Sequence, residues 1–216
     1  MTSTLQPVRT VSSLPTQVFE TLKGAIFEGN FQPGDSLREA HLAQELQVSQ
    51  VTVRDALVQL ERLGLVKRIP NKGTSVTKLS KKDVQDRISV RLTLEEMAFT
   101  SAAERMTKAD FNELKKRLEK LSALISKDAY FETAHADLEF HRYIWQQSGN
   151  QVLFDMLDQL VMPLFVFISI VRRGSNYELK KTVGSHEKLI TALKSRDEQA
   201  IRETLRQHFE NYETDV

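Results

Sequence analysis

The side chains in this 216-residue sequence best suited to hold an ion are its five histidines and nearby carboxylates, because no cysteine is present to supply a thiolate. Asp137 and His141 stand four residues apart in a stretch of helical periodicity, about 40° apart around the axis and one turn removed. A carboxylate and an imidazole placed this way can share one ligand. His186 falls in Gly184-Ser185-His186-Glu187-Lys188-Leu189-Ile190, near the start or middle of the next-to-last helical stretch, and His208 lies in the last. If the three helices converge, Asp137, His141, His186 and His208 form a three-nitrogen, one-oxygen set. Such a set suits Zn(II), Ni(II) or another divalent transition metal, with positions left for water or a carboxylate. Taken singly, each histidine reads first as an ordinary hydrogen-bonded core or surface residue, and it is the joint pattern that reverses this. His135, two residues from Asp137, points away from the shared face, and His41 belongs to another part of the chain. A metal-bound water would suggest hydrolysis, but no further general base or oxyanion donor accompanies these residues. No enzyme is expected.

The elements that must position these residues follow from periodicity. With 40% hydrophobic and 27% charged residues, and only 8 Gly and 5 Pro, the chain has the balance of a folded, helix-rich protein long enough for a small and a medium domain. Apolar residues at Leu14, Val18, Leu22, Ala25 and Ile26 mark a first helix that stops at Gly29-Asn30. Phe31 to Asp35 is turn chemistry around Pro33-Gly34. Two short helices follow, Arg38 to Leu46 and Val51 to Leu63, joined by Gln47 to Gln50, with Ser49 as an N-cap. Val53, Ala56, Leu57 and Leu60 turn inward, leaving a polar outer face. That is a helix-turn-helix. Leu65 to Pro70 and Ser75 to Thr77 are β-prone runs around the turn Asn71 to Thr74, a hairpin that reads as a wing. From Ser80 onward the pattern is helical, with breaks near Thr107, Lys127-Asp128, Gly149-Asn150, Gly174-Ser175 and Ser195 to Asp197. The expected fold is therefore mainly α. A winged helix-turn-helix occupies residues 1–78, a linker 79–82, and an antiparallel bundle of about six helices 83–216.

Charge alone decides little. The net charge is +1, and the first eighty residues carry nine basic against seven acidic side chains. A case for DNA rests on where particular basic residues sit. The polar stretch Met1 to Ser13 lacks an apolar export segment, and the longest apolar run, Leu160 to Val171, is short for a membrane span. A cytoplasmic location, with no membrane partner, is expected.

The run from Ile26 to Glu39 resembles the GntR-type winged helix. So do Leu42-Ala43, Val48-Ser49, Val53 to Leu57, Leu60, Gly64 to Val66 and Gly73 to Val76. The resemblance spans roughly residues 14 to 78 and implies operator DNA as partner. Arg54, early in the second of the paired helices, then reaches a guanine edge or clamps a phosphate, with Ser49, Gln50 and Thr52 at the helix start. Arg38 and the wing-tip residues Lys72, Gly73 and Thr74 hold the backbone or enter the minor groove. The plain alternative for Arg54 is a surface pair with a neighbouring acid. One departure stands out: the family commonly has Arg-Thr-Pro after Val-Ser, and this chain has Gln50-Val51-Thr52.

The second half resembles the ligand-binding domain of the FadR-like branch, the FCD type. Its signatures here are Arg91-Leu92-Thr93-Leu94-Glu95, Asp137 through His141, Ser148-Gly149-Asn150, His186 with Ile190 and Ala192-Leu193, Asp197, Ala200 and His208. In metal-containing members the corresponding Asp and three His are the ligands, which maps onto Asp137, His141, His186 and His208 with none missing. Family effectors are often organic acids, which makes Arg91 the candidate to neutralise one. A salt bridge from Arg91 to Glu95 is the competing reading. The resemblance implies a homodimer on a pseudo-palindromic operator, whose DNA-binding domains are repositioned by an acidic metabolite. A regulator that senses its effector without metal is the alternative, and a metal-dependent hydrolase a more distant one.

Overall fold

Ser13 opens the chain's first helix by accepting the amide hydrogen of Thr16, with a proline in the first turn where a missing N–H costs nothing. The structure, a computed structural model, describes residues 13–70, 73–125, 127, 129–172 and 179–213. Helix α1 (Leu14–Phe27) is followed by strand β1 (Ser36–Leu37), helices α2 (Glu39–Glu45) and α3 (Gln50–Arg62), and strands β2 (Val66–Ile69) and β3 (Gly73–Val76). Ser49 caps α3 by accepting from Thr52 N at 3.1 Å. Val53, Ala56, Leu57 and Leu60 of α3 pack with Val18, Leu22 and Ile26 of α1, all buried, so the inward face expected from spacing is the one observed.

The three strands are antiparallel in the order β1-β3-β2, with Leu37 opposite Thr74 and Arg68 opposite Thr74 on the other side. The hairpin was expected; β1 was not. Two residues carry no readable alternation, and the strand exists because Val76 N donates to Asp35 O (2.9 Å) and Gly34 N to Val76 O (3.0 Å).

Six helices follow among the described residues: α4 (Lys81–Arg105), α5 (Lys108–Ile125), α6 (Tyr130–Gln147), α7 (Gln151–Arg172), α8 (Leu179–Ser195) and α9 (Glu198–Glu213). The mainly helical architecture with a small winged sheet and a six-helix second half is as expected. The break expected at Gly174-Ser175 lies outside the described residues. Ser80 and Asp83 form a reciprocal capping box at the start of α4, directly after buried Leu79. The bundle core is built from Phe99, Leu114, Leu121, Phe140, Ile144, Trp145, Leu157, Leu193 and Leu205. None of the described helices is long and apolar enough to cross a membrane.

The two halves touch along α7. Gly64, in the left-handed region at φ +69°, ends the turn after α3 so close to Pro163 that a Cβ would lie 2.9 Å from its Cγ. Gln159 Nε2 donates to Arg62 O at 3.1 Å, and the rings of Phe27 and Phe131 meet edge to face with centroids 5.6 Å apart.

Candidate metal centre and nucleic-acid interface

Helix α6 carries Asp137 and His141 on one buried face, as the four-residue spacing requires. Helix α8 brings His186 and α9 brings His208 to the same place. One ring nitrogen from each of His141, His186 and His208 lies within 4.8 Å of the others, and all three rings are buried. Asp137 Oδ1 stands 2.7 Å from His186 Nε2. The structure thus brings the three histidines together with Asp137 beside His186, while His135 and His41 are exposed elsewhere.

The surroundings orient these donors. His186 Nδ1 donates to Thr182 O at 2.7 Å, one turn back, which turns Nε2 toward Asp137 and the cluster. His141 Nδ1 lies 3.4 Å from Glu95 Oε1, a carboxylate behind the imidazole, and both of its ring nitrogens are buried without a hydrogen bond to any described residue. Burial pushes the His141 and His208 imidazoles down, His208 further because His186 and His141 crowd it. Burial alone would raise the Asp137 carboxyl, but His186 beside it and His141 and His208 around it hold it well below the usual carboxylate range. The lowered His141 and His208 imidazoles and the ionised Asp137 carboxylate lie on the deprotonated side that a divalent metal needs. Ligands about 2.0–2.2 Å from one ion and roughly at right angles stand about 3 Å apart, near the Asp137–His186 separation; the three nitrogens are somewhat more widely spread. The donor set fits such an ion.

Arg91 does what its spacing allowed: Nε donates to Glu95 Oε1 at 2.9 Å, and both side chains are fully buried. Its guanidinium is flanked by the rings of Phe165 and Phe209, 5.1 and 4.6 Å from their centroids. Its charge bears on both His141 and His208. Two residues of the site escaped sequence reasoning. Glu95 was seen only as a partner for Arg91, yet its Oε1 also accepts from Trp145 Nε1 at 3.2 Å and backs His141. Trp145 follows His141 by one turn, and that spacing was the available signal.

In the first half, Arg38, Ser49, Gln50 and Arg54 are exposed and Thr52 is half-buried on the outer side of α2 and α3. Gly73, at φ +90°, is exposed at the start of β3. Lys72 lies outside the described residues. Thr74 differs from the wing-tip position expected of it: β3 is the middle strand, and Thr74 is buried between its neighbours. Arg54 pairs with an acid, Glu39, as the plain alternative had it.

The comparisons agree with both halves. A family model described as bacterial regulatory proteins, gntR family, matches residues 14–76, and one described as the FCD domain matches residues 86–211. The Escherichia coli K12 HTH-type transcriptional regulator McbR is 28% identical over 194 residues, covering 89% of this chain and 88% of that protein. The gluconate operon transcriptional repressor of Bacillus subtilis is 29% identical over 222 residues, covering 98% and 89%. The solved structure of Escherichia coli McbR/YncC superposes with a TM-score of 0.80 at 27% identity, over 94% of this chain and 96% of that one.

Proposed function

Since this chain belongs to the gntR family of bacterial regulatory proteins and carries an FCD domain, we propose that a buried metal and a small organic acid together control its grip on operator DNA. It is a DNA-binding transcription regulator and not an enzyme, as the family and its relatives are. In this reading Asp137, His141, His186 and His208 hold one divalent transition metal, Zn(II) or Ni(II). The observation that carries it is the convergence of three buried imidazoles from three helices, with Asp137 beside one of them and a carboxylate and a backbone carbonyl behind two of the rings.

A divalent ion bound there supplies a Lewis acid to which an oxygen donor attaches. Arg91 places a fixed positive charge beside the same space, so an anionic oxygen donor, a carboxylate, suits it best. One relative's name refers to a gluconate operon, and gluconate is such an acid. Arg38, Ser49, Gln50, Thr52 and Arg54 face the duplex from α2 and α3, with Lys72 and Gly73 contributing from the wing and Thr74, buried in its middle strand, only holding it in shape. Two copies acting on a pseudo-palindromic site, in the cytoplasm, complete the proposal. The winged helix occupies residues 1–78 and the sensing domain 83–216, joined through 79–82. An acid that binds one placement of the DNA-binding halves more tightly than another shifts operator affinity by that difference.

Elemental analysis of the purified chain beside its Asp137→Ala and His186→Ala variants tests this. About one divalent metal per chain, lost in both variants, is expected. A chain without metal even after repletion leaves the regulator sensing its acid without one.

A further inference from the structure

Glu39, the first residue of α2, is the only acid among the described residues that joins α2, α3 and β2. Its Oε2 accepts from Arg54 Nε at 3.0 Å and Nη2 at 2.8 Å, and its Oε1 accepts from Arg68 Nη2 at 2.9 Å. Arg54 lies one turn into α3, and Arg68 in the middle of β2. The strand itself is tied to the end of α3, because Arg68 N donates to Glu61 Oε1 at 3.2 Å. The carboxylate side chain is 21% exposed and the two arginines 51% and 42%, so the acid lies inside and the cations outside. Two guanidiniums on one carboxylate leave a net positive charge at the surface. Arg54 Nη1 and Arg68 Nε and Nη1 make no hydrogen bond with any described residue, so each arginine keeps donors to spare.

We propose that Arg68 is a DNA-contacting residue and that Glu39 is a positioning residue, presenting Arg54 and Arg68 as a preset pair of guanidiniums to neighbouring phosphates of the duplex. A guanidinium held by a carboxylate on one edge offers its other edge to an anion without first losing its rotamer freedom. Phosphates are the target for Arg68 because it stands on the strand beside the recognition helix rather than at that helix's leading end. The contrary reading is a surface ion-pair cluster that only steadies the fold, which for half-exposed groups contributes little.

The full-length chain is titrated over a range of salt concentrations with a fixed-sequence 30-bp duplex and with a 30-bp duplex selected by the same chain from a random pool. Removing a phosphate contact lowers the slope of log affinity against log salt by about one per contact. Arg68→Ala is expected to lower that slope by about one per bound chain and to weaken both duplexes by similar factors; Arg68→Lys keeps the slope. Glu39→Gln removes a negative charge facing DNA. An acid that only repels phosphate would therefore give tighter binding to both duplexes when neutralised. The positioning role instead predicts about tenfold weaker binding of both duplexes, by similar factors. An unchanged slope in Arg68→Ala overturns the contact, and equal strengthening on both duplexes in Glu39→Gln overturns the positioning role. Thermal melting checks that each variant is folded; should Glu39→Gln melt early, Glu39→Asp, which keeps the charge but shortens the reach, must still weaken both duplexes.

Discussion

Around Glu39 two guanidiniums share one carboxylate at the surface; around Glu95 a guanidinium, an indole and an imidazole share one carboxylate in complete burial. The chemistry is similar and the setting opposite. At the surface, water competes for every charge, so the cluster adds little to folding but can exchange partners with a polyanion at small cost. In the interior, each charge is held against a large desolvation penalty, and the partners cannot be exchanged without a replacement. The first arrangement suits reading DNA, and the second suits a site that waits for a specific ion and acid.

Breaking the buried side is expected to cost most. Glu95→Ala leaves the Arg91 cation enclosed without its carboxylate, and chemical denaturation should register a loss of about 3–5 kcal/mol. Glu39→Ala, the matching change at the surface, should cost no more than about 1 kcal/mol in the same assay. Equal losses would erase the distinction between the two clusters.

The next effect in size belongs to metal. With free Zn(II) at about a hundred times its dissociation constant, the unfolding free energy should rise by about 2.7 kcal/mol, and Asp137→Ala should abolish the rise. Acid sharpens the contrast further. The metal-free chain holds His141 and His208 below their ordinary value, so the unfolded state takes up protons first as pH falls. Their contribution is complete above about pH 6.5 and is lost progressively below it. A denaturation series from pH 8 to 5 should therefore show stability declining from about pH 6.5 downward, and metal should oppose the decline. A flat series would mean that these imidazoles are not held neutral.

The smallest change in folding comes with Arg54→Ala. Its partner pair is half exposed, so the melting point should move little, whereas affinity for a selected operator duplex should fall by about 1–3 kcal/mol, read by fluorescence anisotropy. A large melting shift with unchanged DNA affinity would make Arg54 a structural residue.

Local features were legible in the sequence and tertiary ones were not. Ser49 announced the start of α3, and the i, i+4 spacing of Asp137 and His141 announced a shared face, because both depend on one helix. The arrival of His186 and His208 depends on three helices packing together, and was reached through family resemblance. Strand β1 is only two residues long and owes its existence to pairing with β3. Without it β3 looked like an edge strand, and Thr74 was placed at the wing tip when it is buried in the middle of the sheet. Glu39 lies 15 residues from Arg54 and 29 from Arg68, distances at which no periodicity speaks.

The division of labour between the two clusters is tested most directly by measuring metal content and DNA affinity on the same preparations of the unmodified chain, Arg54→Ala and His186→Ala. The account predicts a crossed result: Arg54→Ala keeps about one metal per chain and loses DNA affinity, while His186→Ala loses the metal and, if folded by its melting curve, still binds DNA without effector. Metal retained in His186→Ala, or DNA affinity undiminished in Arg54→Ala, would contradict it.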